Sequence, residues 1–306
     1  MLEQRVVYLD GTFIAWGEAK VHIMCHSMGR GSAIFEVIGF HDTELGPAVF
    51  RLDEHVLRFV RTASLLDMEL PIDPAALSEA ILETVRRNRL RQGTIKMIGY
   101  YPEIAFEILP PRKRFQIAIF AYDKQEDIAV VPPLPEGGGV SACLSKWRRL
   151  DPQSVPIEAK VAANYLNGIM ARGEARRGGF DFAVMLDTQG YIAEGGTESL
   201  FLVHRGRLMT PSLGTILSGI SRKSLLELAG QVGVQTLEGR LGPELLEEAE
   251  EIFLSCTPTK LLAVRRMGAR ILADVPGPVT RKLAVRMEAI TAGRDEKFRH
   301  WLFPAA

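Results

Sequence analysis

The stretch IEAKVAANYLNGIMARGEARRGG, residues 157–179, sets Lys160 among small residues (Ala159, Ala162, Ala163) ahead of a helical run closed by Gly178 and Gly179. Three further stretches follow: YIAEGGTESLFLV (191–203), LMTPSLGTILSGISR (208–222) and EIFLSCTPTK (251–260). In order they offer a lysine opening a helix, a glutamate before two glycines, a glycine-led helix start with a hydroxyl, and a Thr-Pro-Thr turn after an apolar strand. As chemistry, these are an amine able to bond to an aldehyde, an acid able to pair with a ring nitrogen, and two sets of donors for a phosphate. Pyridoxal phosphate has all of these needs.

The order and spacing of AKVAANY, YIAEGGTESLF, ILSGISR and SCTPT resemble the class IV aminotransferases. This group, also called fold type IV, includes the branched-chain and D-amino-acid aminotransferases and aminodeoxychorismate lyase. The likeness runs from GRGSAIFEV near residue 30 to about residue 264. It implies an α+β fold of two domains, a smaller N-terminal α/β sandwich and a larger C-terminal domain with a β-barrel-like sheet and helices.

Carried onto this sequence, the resemblance makes Lys160 the residue that bonds the cofactor and then moves a proton at the substrate's α-carbon. Glu194 faces the pyridine nitrogen. Arg58, in an HxxR pattern with His55, joins Gly219, Ile220, Ser221 and Thr257 around the phosphate. Tyr165 reaches the phenolic oxygen and Leu217 packs on the ring. Each residue also has an ordinary structural use: a solvated lysine, a turn glutamate, a helix cap, a helix tyrosine with one wet edge, a core leucine.

The substrate side departs from the family pattern. Branched-chain members typically carry an arginine on the strand matching TIKMIGYY, where this chain has Lys96, and a tyrosine where it has Arg30. The Arg-x-His pair of the D-amino-acid enzymes and the RGxGxRGY-like run of the lyases are both absent. Arg30 is either a carboxylate clamp beside Lys96 and Tyr100, or an interface arginine paired with Glu36 or Asp53. The Thr257-Pro258-Thr259 turn offers amides to the same carboxylate. The family implies a homodimer whose pocket is completed by the second subunit. The expected partners are an amino donor, with branched-chain L-amino acids leading and D-amino acids or (R)-amines as the alternative, and a 2-oxo acid such as 2-oxoglutarate or pyruvate; a 4-amino-4-deoxychorismate lyase, using the same lysine and cofactor, is the other alternative.

Composition narrows the classes further. The chain has 306 residues, 47% of them hydrophobic, enough for two cores. Lys+Arg and Asp+Glu both number 37, so no net field favours nucleic acid or an anionic membrane. Three widely spaced cysteines and six scattered histidines argue against a disulfide framework or a metal cluster. The absence of a secretory leader pattern and of 18 consecutive apolar residues fits a cytoplasmic enzyme.

Element signals run in the same direction. Asp10-Gly11 between apolar runs predicts a hairpin, as does the acidic HDTELG turn after GSAIFEVIGF. Apolar spacing predicts helices from Asp53 and from Asp73-Pro74, the latter ended by Gly93. TIKMIGYY and FQIAIFAYD read as strands. The expected domains are 1–130 and 141–306, with a linker at 131–140 where VVPPLPEGGGV breaks both periods. Helices are expected at 221–232, 243–250 and 278–292.

Overall fold

Asp10 and Gly11 take positive φ of 50° and 96° and join β1 (Val6–Leu9) to β2 (Thr12–Ala15) as an antiparallel hairpin in the computed structural model. The structure describes residues 2–128 and 138–306. The expected linker at 131–140 lies mostly outside them. The chain divides into two units; Met1–Val131, Ala159–Ala163 and Ala289–Ala306 form the first.

After β2 come α1 (His26–Arg30), β3 (Ile34–Thr43), β4 (Gly46–Phe50), α2 (Leu52–Ser64), α3 (Pro74–Asn88), β5 (Gly93–Tyr100), β6 (Gln116–Tyr122) and the short α4 (Lys124–Asp127). The sheet is antiparallel throughout, ordered C-terminal strand (Leu302–Pro304), β4, β3, β5, β6, β1, β2. Strand alternation sends Ile34, Ile38, Ile95, Met97 and Ile119 into one core with Val56, Phe59, Leu77, Ile81 and Val85 of α2 and α3. Phe35, Val37, Lys96 and Ile98 lie on the other, half-buried face.

Asp73 caps α3 as its sequence predicts, accepting from the Ala76 amide at 2.8 Å. The helix ends earlier than the expected Gly93. Asn88 is bound into the β1 edge through Val6 N and O, both at 2.9 Å, and Arg89 turns the chain with φ 52°. The C-terminus also departs from the single 141–306 span. Trp301 is buried edge-on against Phe50 at 5.8 Å with the Arg51 guanidinium over its ring, which returns the tail to the first unit.

The second unit, Pro132–Glu158 with Asn164–Glu288, carries β7 (Val140–Arg148), α5 (Tyr165–Arg177), β8 (Phe182–Leu186), β9 (Ile192–Gly195), β10 (Ser199–His204), β11 (Arg207–Pro211), α6 (Ile220–Gln231), β12 (Thr236–Gly239), α7 (Leu245–Glu248), β13 (Glu251–Ser255), β14 (Leu262–Met267), β15 (Arg270–Ile271) and the start of α8 (Pro278–Thr291). Its mixed sheet runs β12, β11, β10, β13, β14, β7, β8, β9, with β15 on β14. The sheet curls around one core that includes Val140, Val184, Ile192, Leu202, Leu254 and Val264. On the opposite face Phe201 stacks on Phe253 at 4.8 Å, and Glu251 accepts from the first amides of α8, Val279 and Thr280.

Gly168 brings α5 against the end of β9: a Cβ there would lie 2.3 Å from the Gly196 carbonyl oxygen. Gly168→Ala is therefore expected to lower stability by about 1–3 kcal/mol, the usual range for overpacking. Urea unfolding followed by far-UV circular dichroism checks it, and a midpoint equal to wild type contradicts it.

Candidate active site

Lys160 does not open α5. It sits on an extended segment stitched to β3: Phe35 N donates to its carbonyl at 3.1 Å and Ala162 N donates to the Ala33 carbonyl at 2.8 Å, with a bridge between Ile34 and Val161. Its own amide donates to Thr62 Oγ1 of α2 at 3.2 Å. The side chain is 9% exposed, and its amine lies 4.8 Å from the centre of the Phe35 ring. Lys96 reaches the same ring at 5.6 Å. Two side-chain amines therefore share one apolar platform.

Arg58 lies one turn before Thr62 on α2. It donates through Nε to Glu36 Oε1 and through Nη2 to Glu36 Oε2, both at 2.7 Å, and His55 Nδ1 meets Oε2 at 2.7 Å. Burial alone would raise the Glu36 carboxyl. The Arg58 charge and the bonds from Arg58 and His55 outweigh it and hold the group at about 2.

In the second unit, Glu194 on β9 accepts from Arg149 Nε at 2.6 Å and from Leu217 N at 3.2 Å, both on Oε1. Arg149 also donates to Asn167 Oδ1, and Asn167 Nδ2 donates to the Arg148 carbonyl. Two residues after Leu217, Gly219 is the N-cap of α6 and has no capping side chain. A Cβ on Gly219 would lie 2.7 Å from Ser199 Oγ. Ser199 pairs across the sheet with Ser255, whose buried hydroxyl has no hydrogen-bond partner among the described residues. The chain then turns at 256–259, where Cys256 N donates to the Thr259 carbonyl. Glu194, Leu217, Gly219, Ile220 and Ser221 are thus brought to one end of the sheet, beside the start of the Thr257-Pro258-Thr259 turn. Helix-start amides, the Ser199 hydroxyl and an unpartnered buried hydroxyl make a donor set that fits a phosphate.

The substrate residues are not gathered in the same way. Arg30 is exposed and donates to the Phe106 carbonyl at 2.8 Å. Tyr100 donates to Gln116 at 3.3 Å. The alternative pairing of Arg30 with Glu36 or Asp53 does not occur, because those acids pair with Arg58 and Arg51 respectively.

Residues 33–267 match the amino-transferase class IV family. The chain belongs to the class IV aminotransferases. It is 31% identical over 300 residues to the branched-chain-amino-acid aminotransferase of Salmonella typhimurium, covering 97% of this chain and 96% of that protein. Among solved structures it is similar to the branched-chain aminotransferase of Thermoproteus uzoniensis with norvaline, at 33% identity, 99% of each chain and a TM-score of 0.92. It is also similar to the branched-chain amino acid aminotransferase of Thermobaculum terrenum in its PLP-bound holo form, at 27% identity, 100% of each chain and a TM-score of 0.91. The cofactor of this aminotransferase is pyridoxal 5′-phosphate.

Sequence reading missed several charged groups of the aminotransferase. Glu36 shows one signal, an acid at an inward position between Ile34 and Ile38. Arg149 shows none, since its partner lies 45 residues away. Lys260, just after the Thr-Pro-Thr turn, is another: its stem is half-buried, its amine is sealed from water, and burial pushes that amine down to about 8. The unfolded chain therefore binds a proton there more readily between pH 8 and 10.5. Wild type is expected to gain about 3 kcal/mol relative to Lys260→Met as pH rises through that window. Chemical unfolding of both chains at pH 7 and pH 10.5 measures the difference, and a constant gap overturns it.

Proposed function

We propose that this aminotransferase transfers the amine of branched-chain L-amino acids to a 2-oxo acid, 2-oxoglutarate or pyruvate. The observation that carries the reading is the half-buried apolar face of Phe35, Val37 and Ile98, which holds the amine of Lys160 and that of Lys96 at one ring. Such a face suits an aliphatic side chain beside a reacting amine. The relatives above, named for branched-chain substrates, agree with it.

Bound pyridoxal phosphate supplies an electron-withdrawing ring that stabilises negative charge at the substrate α-carbon. Lys160 would carry the cofactor by its side-chain amine and, once freed by the donor, would take the proton from the substrate α-carbon. Glu194, held by Arg149 and the Leu217 amide, would keep the ring nitrogen protonated. Tyr165 would donate to the phenolic oxygen, and Leu217 would pack on the ring. Arg58, Gly219, Ile220, Ser221 and Thr257 are the residues that would hold the phosphate. Lys96 and Tyr100 face the substrate, with the Pro258 and Thr259 turn offering amides to its carboxylate. Arg30, at the end of α1 and bonded to the Phe106 carbonyl, is the candidate clamp for that carboxylate.

The active form is a homodimer in the cytoplasm. The support is an exposed apolar cluster of Ile23, Met28, Ile104, Phe106 and Ile108, on two segments joined by the Cys25–Ile104 bridge and the bond from His26 Nε2 to the Ile108 carbonyl. No helix among the described residues is long and apolar enough to cross a membrane, and Cys25, Cys143 and Cys256 form no disulfide among the described residues.

Purified protein is expected to convert its cofactor to the pyridoxamine form with L-leucine, L-isoleucine or L-valine and no acceptor. Faster conversion by D-amino acids or (R)-amines, or pyruvate release from aminodeoxychorismate without conversion, contradicts the substrate assignment. Lys160→Ala is expected to lose the visible cofactor band and turnover; an unchanged spectrum removes the mechanism. Sedimentation should give a dimer that Phe106→Asp weakens, and a wild-type monomer overturns that part.

A further inference from the structure

We propose that Glu36 is a positioning residue for cofactor capture: it holds the Arg58 guanidinium side-on, so that the end-on edge is directed to the cofactor's phosphate. The proposal rests on the reading that Arg58 holds that phosphate.

Glu36 is an anomaly of its strand. It points to the helix-covered face of β3 between Ile34 and Ile38, all three at 0% exposure, where an apolar side chain would pack without the cost of burying charge. What the acid provides is geometry. A planar guanidinium bound through both Nε and Nη2 has its plane and tilt fixed by two parallel bonds. Here both bonds are 2.7 Å, and the buried His55 ring holds Oε2 from its other side at 2.7 Å. The carboxylate is itself pinned, so it cannot follow the arginine if Arg58 swings. Nη1 and the outer N–H of Nη2 then form an end-on edge whose direction is set before any anion arrives.

The same frame locates the lysine. On α2, His55, Arg58 and Thr62 recur at three and four residues and form one stripe. Thr62 Oγ1 accepts from the Lys160 amide, and Phe35, the neighbour of Glu36 on β3, donates to the Lys160 carbonyl. Phosphate arginine and cofactor lysine are therefore held by the same strand and the same helix face. A loose Arg58 would lose phosphate affinity without moving Lys160.

The test compares pyridoxal phosphate with pyridoxal, which lacks the phosphate, by absorbance titration of the full-length protein stripped of cofactor. Glu36→Gln is expected to reduce the preference for the phosphorylated form by about tenfold or more, with pyridoxal affinity changed less than about twofold. Parallel loss of both affinities marks a merely structural role and overturns the proposal, as does a retained preference. Arg58→Met separates the two readings. If it leaves the preference intact, the phosphate assignment of Arg58 fails and the proposal falls with it. If it abolishes the preference while Glu36→Gln keeps it, only the positioning role is overturned. Should Glu36→Gln fail to fold, Glu36→Asp keeps the charge and shortens its reach; an intermediate loss of preference with unchanged pyridoxal affinity is expected, and full retention contradicts the proposal.

Discussion

Two backbone hydrogen bonds, from Phe35 N to the Lys160 carbonyl and from Ala162 N to the Ala33 carbonyl, fix the position from which the Lys160 amine starts. Residues Ala159–Ala163 are held in the first unit while the chain on either side belongs to the second. A lysine placed by a strand ladder and by Thr62 has little backbone freedom, so its remaining motion is that of its own side chain. That is the freedom a group needs if it must bond, be displaced and then carry a proton.

Charged groups within each unit follow one pattern. Arg58 is bound by Glu36, and Glu194 is bound by Arg149 and a backbone amide, each by bonds of 2.6 to 3.2 Å. Leaving either partner alone in its buried setting would cost several kcal/mol, so each pair is settled before ligand arrives. The second unit adds donors of another kind, the uncapped start of α6 and the Ser255 hydroxyl, which are backbone or neutral and so suit an anion without competing for it.

Much of this was legible in the sequence where the cause is local. The Asp10-Gly11 turn, the Asp73 cap followed by Pro74, and the apolar stripe of α2 each depend on a few neighbouring residues, and each element is present. The blocks around Lys160, Glu194, Gly219 and Thr257 were legible because four residue types recur in a family order. What was hidden has long-range causes. Strand β7 alternates buried with exposed only in part, and its place is set by parallel pairing to β8 and β14. The C-terminal strand is three residues long, and Trp301 brings it home. Lys160 reads as a helix start because a helical run follows it, yet pairing with β3, more than a hundred residues earlier in the chain, draws it into an extended form. Glu36 and Arg149 find partners 22 and 45 residues away, which spacing cannot reveal.

Borohydride reduction of the cofactor-loaded protein, followed by peptide mass mapping, tests the central claim directly, because it fixes the bond between lysine and cofactor where it stands. A phosphopyridoxyl group on the peptide that carries Lys160 is the expected result. The same group on Lys260, whose amine burial pushes down to about 8, or on Lys96, would contradict the account.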